Sequence, residues 1–285
     1  MPDIVIHASA SAAYAGLAWH FWNTRWRAAR AAPDGLAAWE RIALLAPLAL
    51  HGGLLYSDIF LAPELRFGFA QALSVMFWLC VAIYWTESLF LRLDGFEPLL
   101  LPLAAIAAPL PALFPGLASK GFPASPEFKL HLALAMAAYG VFAIAMLHAV
   151  LMALVERRLH RLRRPAPAAG DAAQTLEGPL SRLPPLLTLE QLLFRLIATA
   201  FVLLTLTLAT GAAYSESLFG RALRFDHKTL FALLSWATFA ALLAGRYLRG
   251  WRGRTALRWT LSGFALLILA YVGSRFVLEV ILGRA

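Results

Sequence analysis

The chain has 285 residues, of which 61% are hydrophobic and only 14% are charged. Soluble domains contain roughly 45–50% apolar and 25% charged residues, so this composition excludes an ordinary soluble protein and indicates a polytopic membrane protein. The formal net charge is +9. The arginines nevertheless lie in short clusters between apolar runs, where they set membrane topology rather than form a nucleic-acid-binding surface.

Eight apolar runs follow one another along the chain, and about 20 such residues fit a bilayer core roughly 30 Å thick. The predicted spans are residues 4–22, 41–60, 69–90, 97–114, 129–154, 191–211, 228–247 and 258–281. The fourth contains Pro102, Pro109 and Pro111, so a kinked or broken helix is expected there. The predicted fold class is all-α, a helix bundle in a single membrane domain over residues 1–285.

The Lys and Arg residues predict how the bundle is oriented. Most of them follow the first, third, fifth and seventh spans, so these loops are predicted to be cytoplasmic and both termini outside. The longest connection, near residues 160–187, contains RRPAPAAGDAAQTLEGP and is predicted to be a flexible linker on the inner side. The single cysteine, Cys80, excludes a disulfide framework and a CxxC redox pair.

Histidines interrupt the apolar runs, and the topology assigns each a depth. His51 and His131 fall in the outer half of their spans, and His227 at the outer start of the seventh. His148 lies about 25 Å below His131, at 1.5 Å per helical residue, and so near the inner surface. A histidine in hydrocarbon is costly and usually faces a bundle interior or a cavity, which makes the outer-half histidines candidates for one site. For His7, His20 and His160 the favoured interpretation is a hydrogen bond to a neighbouring helix or an interfacial position.

His51 and His131 are candidate ligands of haem iron. Bis-imidazole ligation needs two neutral histidines on different helices and a cavity with aromatic and aliphatic walls. The alternative is that each imidazole only hydrogen-bonds a neighbouring helix. A zinc site would need three or four closely spaced ligands, and the sequence contains no pattern such as HExxH.

Arg275 and Glu279 place two charges near the outer end of the last predicted span. They stand at i and i+4, so one interpretation is a mutual ion pair or snorkelling to the surface. The other is that Arg275 holds an anionic group such as a haem propionate, because a guanidinium group can donate two parallel hydrogen bonds to a carboxylate.

Four stretches in order resemble the cytochrome c assembly family of membrane haem-handling proteins, which includes CcsA and CcmC. They are HLALAMAAYGVFAIAMLHAVLMAL, LEQLLFRLIATAFVLLTLTLATGAAYSESLFG, DHKTLFALLSWATFAALLAGRYLRGWRGR and LAYVGSRFVLEVIL. The resemblance covers about residues 40–281 and is greatest to the small YpjD-like and HemX-like branch. It implies a helical bundle that binds haem through histidines.

The resemblance also implies roles for individual residues. His131, followed by Tyr139, matches the histidine of the family's H…Y helix, an outer-side haem ligand in CcsA-like members. His51 in LALHGGLLY resembles the early-span histidine of the YpjD-like branch and is implied to be the opposite ligand. Arg275 in GSR resembles that branch too, and His227, at the same outer side, completes the candidate cofactor-binding set.

Two departures from CcsA-like proteins bear on haem delivery. The outer stretch GAAYSESLFGRALRFDHKTL lacks their tryptophan-rich WWD motif, and the chain ends at VILGRA without their later histidine. Both argue against direct delivery of haem to apocytochrome c. Haem binding itself is less affected, because His51 and His131 still supply two axial positions.

The function expected from the resemblance is haem handling by a non-enzymatic factor of cytochrome c biogenesis in the bacterial cytoplasmic (inner) membrane. The cofactor would be b-type haem, held permanently or in transit, and the partners other cytochrome assembly proteins or apocytochrome. A membrane redox protein that uses haem and quinone is an alternative, with His148 and His20 as inner-side candidates. A cofactor-free transporter or assembly factor, using the broken fourth helix, is the other alternative.

Overall fold

Helices account for nearly all of the structure, a computed structural model that describes residues 2–27, 35–61, 66–91, 93, 95–116, 126–162, 186–219 and 226–283. They are α1 (Pro2–Phe21), α2 (Ala38–Tyr56), α3 (Phe69–Glu87), α4 (Glu97–Ala107), α5 (Leu110–Leu113), α6 (Pro126–Leu162), α7 (Leu186–Phe219), α8 (His227–Arg249), α9 (Gly253–Ile268) and α10 (Ser274–Phe276). Turns of π-helix extend α1 to Arg27 and α2 to Leu61, and carry α9 through α10 to Ile281. The prediction of an all-α bundle is confirmed.

Six helical segments of the described chain are long and apolar enough to cross a membrane. They are Ala38–Ile59, Phe69–Glu87, Glu127–Arg157, Leu186–Ser215, His227–Arg249 and Gly253–Ile281. The polytopic character is therefore confirmed, whereas the count of eight spans and the outside location of both termini stay predictions. The first predicted span is helical too, as α1, but polar residues such as His7, Ser9 and Ser11 make it less apolar than the six.

The fourth predicted span is interrupted, as its prolines indicate. Glu97–Leu113 is a shorter apolar segment, in which α4 ends at Ala107 and α5 begins at Leu110. The interruption falls at Pro109, next to Pro111 in the first turn of α5, whereas Pro102 is accommodated within α4. Proline has no backbone N–H group. It is therefore tolerated in the first turn of a helix, but it removes a hydrogen bond when it lies further along.

Helix α6 is the central element of the bundle. It packs against α3, α7 and α9, while α1 packs against α2 and α4 on the other side of α3. In an apolar 18-residue stretch of its spanning segment 67% of the residues are buried, compared with 28% in the corresponding stretch of α7 and 22% in that of α8. Most residues of α7 and α8 therefore lie at the surface of the bundle, whereas most of those in this stretch of α6 belong to the core. The linker predicted near 160–187 falls largely in residues 163–185, which lie outside the described residues.

Close packing between α3 and α6 depends on Gly140. A Cβ atom there would lie 2.7 Å from the Cβ atom of Leu79, and the Sγ of Cys80 donates to the Gly140 carbonyl at 3.5 Å. The absence of a side chain lets the two backbones approach, as is common for small residues at helix contacts within membranes.

We expect Gly140→Ala to destabilise the protein by roughly 1–3 kcal/mol, because overpacking must displace Leu79 or separate the helices. Gly16→Ala is the matched control, since no atom lies within 4 Å of the added Cβ and alanine raises helix propensity by up to about 1 kcal/mol. Thermal unfolding in detergent should show opposite shifts for the two variants. Equal midpoints would contradict the close contact.

A buried ion pair joins the end of α1 to the start of α2. An Nη atom of Arg25 lies 2.7 Å from one carboxylate oxygen of Glu40, and Nε2 of His20 lies 2.9 Å from the other. Glu40 also accepts the backbone N–H of Ala37, the residue before α2, at 2.8 Å, which satisfies one of the helix's unpaired donors. Arg25 and Glu40 are 2% and 4% exposed.

Candidate functional site

His131 lies near the start of α6, with its ring against α7. Its Nδ1 is 3.0 Å from the hydroxyl oxygen of Thr210. That hydroxyl donates its only hydrogen to backbone carbonyls of its own helix, those of Leu206 at 2.8 Å and Thr207 at 3.1 Å. With its hydrogen on those carbonyls, the Thr210 oxygen is placed to accept from His131. In that arrangement the neutral ring carries its hydrogen on Nδ1, and Nε2 keeps a free lone pair.

Gly211, the next residue of α7, leaves room for the same ring because it has no side chain. A Cβ atom at Gly211 would lie 3.1 Å from Cε1 of His131. Thr210 thus orients the imidazole, and Gly211 lets it lie flat against the helix. A histidine held through one nitrogen, with the other presenting a lone pair, is the arrangement found in metal-binding imidazoles.

His51 is fully buried between α1, α2 and α3. Its Nε2 is 2.8 Å from the hydroxyl oxygen of Ser74 on α3, and the ring of Tyr14 on α1 meets it edge-on, with centroids 5.8 Å apart. The Nδ1 of His51 and the hydroxyl of Tyr14 are both buried and have no hydrogen-bond partner among the described residues. Such atoms are rare in folded proteins and mark a place where a further polar group would be stabilised.

His7 of α1 lies buried in the same part of the bundle. Its Nδ1 donates to the carbonyl of Ala108 at 2.8 Å, and its Nε2 is 3.8 Å from a carboxylate oxygen of Asp58. The bond to Ala108 connects α1 to the turn between α4 and α5. His7 therefore bonds a neighbouring helix, as expected, and His20 does the same through Glu40. The third histidine of that group, His160, has a side chain outside the described residues.

Charged residues come together between the start of α8 and the end of α10. An Nη atom of Arg275 is 3.8 Å from Glu279, and its guanidinium group lies 5.8 Å from the centre of the Tyr271 ring. Lys228 interacts electrostatically with Arg275 and Glu279, and its neighbour His227 is exposed. The expected i,i+4 pair is therefore present, yet the Nε of Arg275 is buried and, in the part of the chain that the structure describes, has no hydrogen-bond partner.

Asp226 caps α8 just outside its spanning segment. Its side chain accepts the backbone N–H of Thr229 at 2.9 Å. Partial burial raises the pKa of the carboxyl group, but the hydrogen bonds from Thr229 and the charges of Lys228 and His227 outweigh it and bring the pKa below its ordinary value.

Asp226→Ala should therefore destabilise the protein by about 1 kcal/mol, the usual effect of losing an N-cap. Because the folded-state pKa of Asp226 is lowered, the ionised cap contributes fully above about pH 4 and loses its charge contribution below it. Unfolding midpoints of parent and variant should differ by a constant amount above pH 4 and converge in acid. Asp226→Asn, which keeps the cap without the charge, should lack this pH dependence.

The structure groups these candidates by helix contacts. His227 is the first residue of α8 and Arg275 lies in α10, whereas the ring of His131 contacts α7. His51 approaches α3 from the side of α1 and α2, whereas α6 packs on another face of α3. His51 and His131 share no contact among the described residues, so the structure does not bring the two imidazoles together. Their pairing stays a prediction.

The side chain of His148 is fully buried within the bundle. Its Nδ1 bonds the carbonyl of Ile144 in the same helix at 2.8 Å, and its ring centroid lies 4.6 Å from that of Phe96. The Nε2 of His148 and a carboxylate oxygen of Glu87 are 3.8 Å apart, too far for a direct hydrogen bond. The position of His148 along the membrane normal, near the inner surface, stays a prediction.

Sequence reasoning did not find Ser74, Thr210 or Tyr14, although the structure places all three against candidate histidines. Serines and threonines in membrane helices often bond across helix contacts, but those of this chain commonly bond their own backbone, whether or not they also meet another helix. Only the tertiary contacts distinguish the two groups.

Residues 41–282 match the family model described as Cytochrome C assembly protein. The chain belongs to the cytochrome c assembly protein family. With its six apolar helices and a relative described as an inner membrane protein, this family member is a multi-pass inner-membrane protein. The family resemblance seen in the sequence is thereby confirmed.

Individual relatives differ in how much of each chain they match. The inner membrane protein YpjD of Escherichia coli strain K12 is 32% identical over 158 residues, which are 55% of this chain and 54% of the relative. An uncharacterized 28.8 kDa protein of Azospirillum brasilense is 31% identical over 76% of this chain and 77% of its own. The cytochrome c biogenesis protein CcsA of Prochlorococcus marinus strain MIT 9515 is 39% identical over 31% and 28%. The match thus spans about half of YpjD, and no solved structure matches the chain.

Proposed function

We propose that this protein binds haem at the predicted outer end of its bundle and handles it in cytochrome c biogenesis. The observation that carries the proposal is the orientation of His131, whose Nδ1–H is held by Thr210 so that Nε2 presents a lone pair. Neutral imidazole with a fixed tautomer is a favoured ligand of haem iron. Family membership and the CcsA relatives, which are named cytochrome c biogenesis proteins, support the process.

The residues present fit a non-covalently held haem. The chain has one cysteine, Cys80, which is buried, so the thioether attachment of a c-type haem through CxxCH is excluded and the expected cofactor is b-type. Arg275 and Lys228 supply cations at the same end, and the unpartnered Nε of Arg275 suits a propionate. When bound, haem would supply an iron centre that an imidazole nitrogen such as Nε2 of His131 can coordinate.

His51 is the second proposed axial ligand, in keeping with the sequence prediction. Its Nδ1, which has no partner among the described residues, supports a role in binding. His51 and His131 contact different helices, so joint ligation by both is the least supported part of the proposal. Direct delivery to apocytochrome c stays doubtful for the reason that the sequence indicates, the missing tryptophan-rich motif. Residues 220–225 of that stretch lie outside the described residues.

Haem titration of the purified protein tests the proposal. Protein in detergent is freed of cofactor and titrated with haem, with empty micelles as the control, while absorption spectra are recorded. We expect saturation at one haem per chain and a low-spin spectrum that changes on reduction. A spectrum identical to that of haem in empty micelles would refute haem binding and favour the cofactor-free alternative. Two haems per chain would favour the redox alternative.

A further inference from the structure

A cavity of about 220 Å³ lies at the opposite end of α6 from His131, where α6, α7 and α9 meet. Its lining is apolar apart from two carboxylates and is formed by Ala149, Met152, Ala153, Glu156, Leu186, Glu190, Leu193, Gly253 and Leu257. The volume is below the roughly 300–1,000 Å³ of drug-sized pockets. It suits a slender apolar ligand such as a segment of an acyl chain.

Arginines surround the two carboxylates at the rim of this cavity. Glu190 is paired with Arg246 at 2.6 Å and with Arg252 at 3.3 Å, and Glu156 is paired with Arg254 at 3.0 Å. Three cations thus face two anions, so the rim carries a net positive charge. An anionic ligand is therefore favoured over a cationic one.

The rim arginines keep donors available for such a ligand. Arg252 and Arg254 reach their carboxylates through Nε, and their side chains are 63% and 64% exposed. Their terminal nitrogens have no partner among the described residues. Arg252 and Arg254 flank Gly253 and pair with Glu190 and Glu156, all three of which line the cavity. Two guanidinium groups in this position match a phosphate that continues into an acyl chain.

We propose that this cavity binds an anionic phospholipid of the inner leaflet, with an acyl chain among α6, α7 and α9 and the phosphate on Arg252 and Arg254. The predicted topology places this end at the cytoplasmic surface, where anionic lipids attract clustered basic residues. The ligand would hold together three helices that otherwise meet around an unfilled space. The inference does not depend on haem binding.

Native mass spectrometry of delipidated protein tests the proposal. The protein is incubated with phosphatidylglycerol or with phosphatidylethanolamine of the same acyl chains, and the retained lipid is counted. We expect retention of phosphatidylglycerol to exceed that of phosphatidylethanolamine at least about fivefold, the effect of one basic residue near an anionic headgroup. Equal retention of the two lipids would overturn the proposal.

Two sets of variants separate the headgroup contact from the cavity. Arg252→Gln with Arg254→Gln should remove the preference for phosphatidylglycerol, whereas the control Arg249→Gln with Arg258→Gln, which loses the same charge at exposed positions away from the lining, should keep it. Ala153→Phe should reduce retention of both lipids by filling the cavity, and the exposed Ala237→Phe should not. The proposal fails if either test variant behaves as its control does. Size-exclusion profiles verify that all variants are folded.

Discussion

Replacing His131 with alanine is expected to abolish the low-spin haem spectrum and to weaken haem binding by more than about 100-fold. The reason is that His131 is the imidazole whose free Nε2 the structure defines through Thr210. Loss of a hydrogen-bond partner behind a metal ligand typically costs about 10–100-fold in affinity, and loss of the ligand itself costs more. Haem titration followed by absorption spectroscopy measures both quantities.

His20→Ala is the control for this variant. It also removes an imidazole, but His20 bonds Glu40 and is not a proposed haem ligand. It should bind haem as the parent does. His51→Ala separates the two ligand schemes: joint ligation predicts a change from low spin to high spin, whereas an unchanged spectrum would remove His51 from the coordination sphere. A parent-like spectrum for His131→Ala would reject the ligand assignment outright.

Thr210 provides a finer test of the same geometry. We expect Thr210→Val to weaken haem binding by roughly tenfold, because valine keeps the shape of the side chain but removes the acceptor that fixes the His131 tautomer. Thr210→Ser keeps the hydroxyl and should restore the parent affinity. If serine and valine behave alike, the hydroxyl does not orient the ligand, and Thr210 serves only to pack α7 against α6.

Glu40→Gln should destabilise the protein by about 3–5 kcal/mol, the largest effect on stability that we expect. The substitution leaves the guanidinium group of Arg25 buried without its 2.7 Å partner charge, and an uncompensated buried charge is costly. The helix also loses the carboxylate that accepts the Ala37 N–H at the start of α2. The free energy of unfolding in mixed detergent micelles is the quantity to measure.

Glu156→Gln is the matched control, because it removes one carboxylate from a more exposed pair with Arg254, and pairs of that kind contribute about 0–1 kcal/mol. Adding Arg25→Met to Glu40→Gln should recover part of the loss, since it removes the orphaned charge. Similar losses for Glu40→Gln and Glu156→Gln would show that burial of the first pair has no energetic consequence.

The membrane bundle was predictable because hydrocarbon imposes its requirements on each segment separately. The predicted spans 69–90 and 228–247 agree closely with α3 at Phe69–Glu87 and α8 at His227–Arg249. Helix ends were less predictable, since α6 runs from Pro126 to Leu162 where the apolar run suggested 129–154. Helical hydrogen bonds are local and continue into polar sequence, so an apolar run marks the part of a helix within the bilayer rather than its whole length.

The candidate residues were predictable only as individuals. An imidazole in an apolar helix is unusual enough to single out His51 and His131 without a structure. The sequence could not show that His131 meets Thr210, 79 residues away, or that His51 meets Ser74 on α3. Helical periodicity specifies which residues share a face of one helix, but it says nothing about which face of another helix packs against it.

The amino-acid sequence by itself determined the all-α membrane character of the protein, the interruption of its proline-containing fourth span and the choice of His51 and His131 as candidates. The tertiary structure decided which nitrogen of His131 is free, why Arg25 and Glu40 can be buried together, and where an apolar cavity opens between α6, α7 and α9. The physical reason is the range of the interactions. Hydrophobic transfer and helix formation act within one segment, whereas tautomers, ion pairs and cavities depend on which helices pack together.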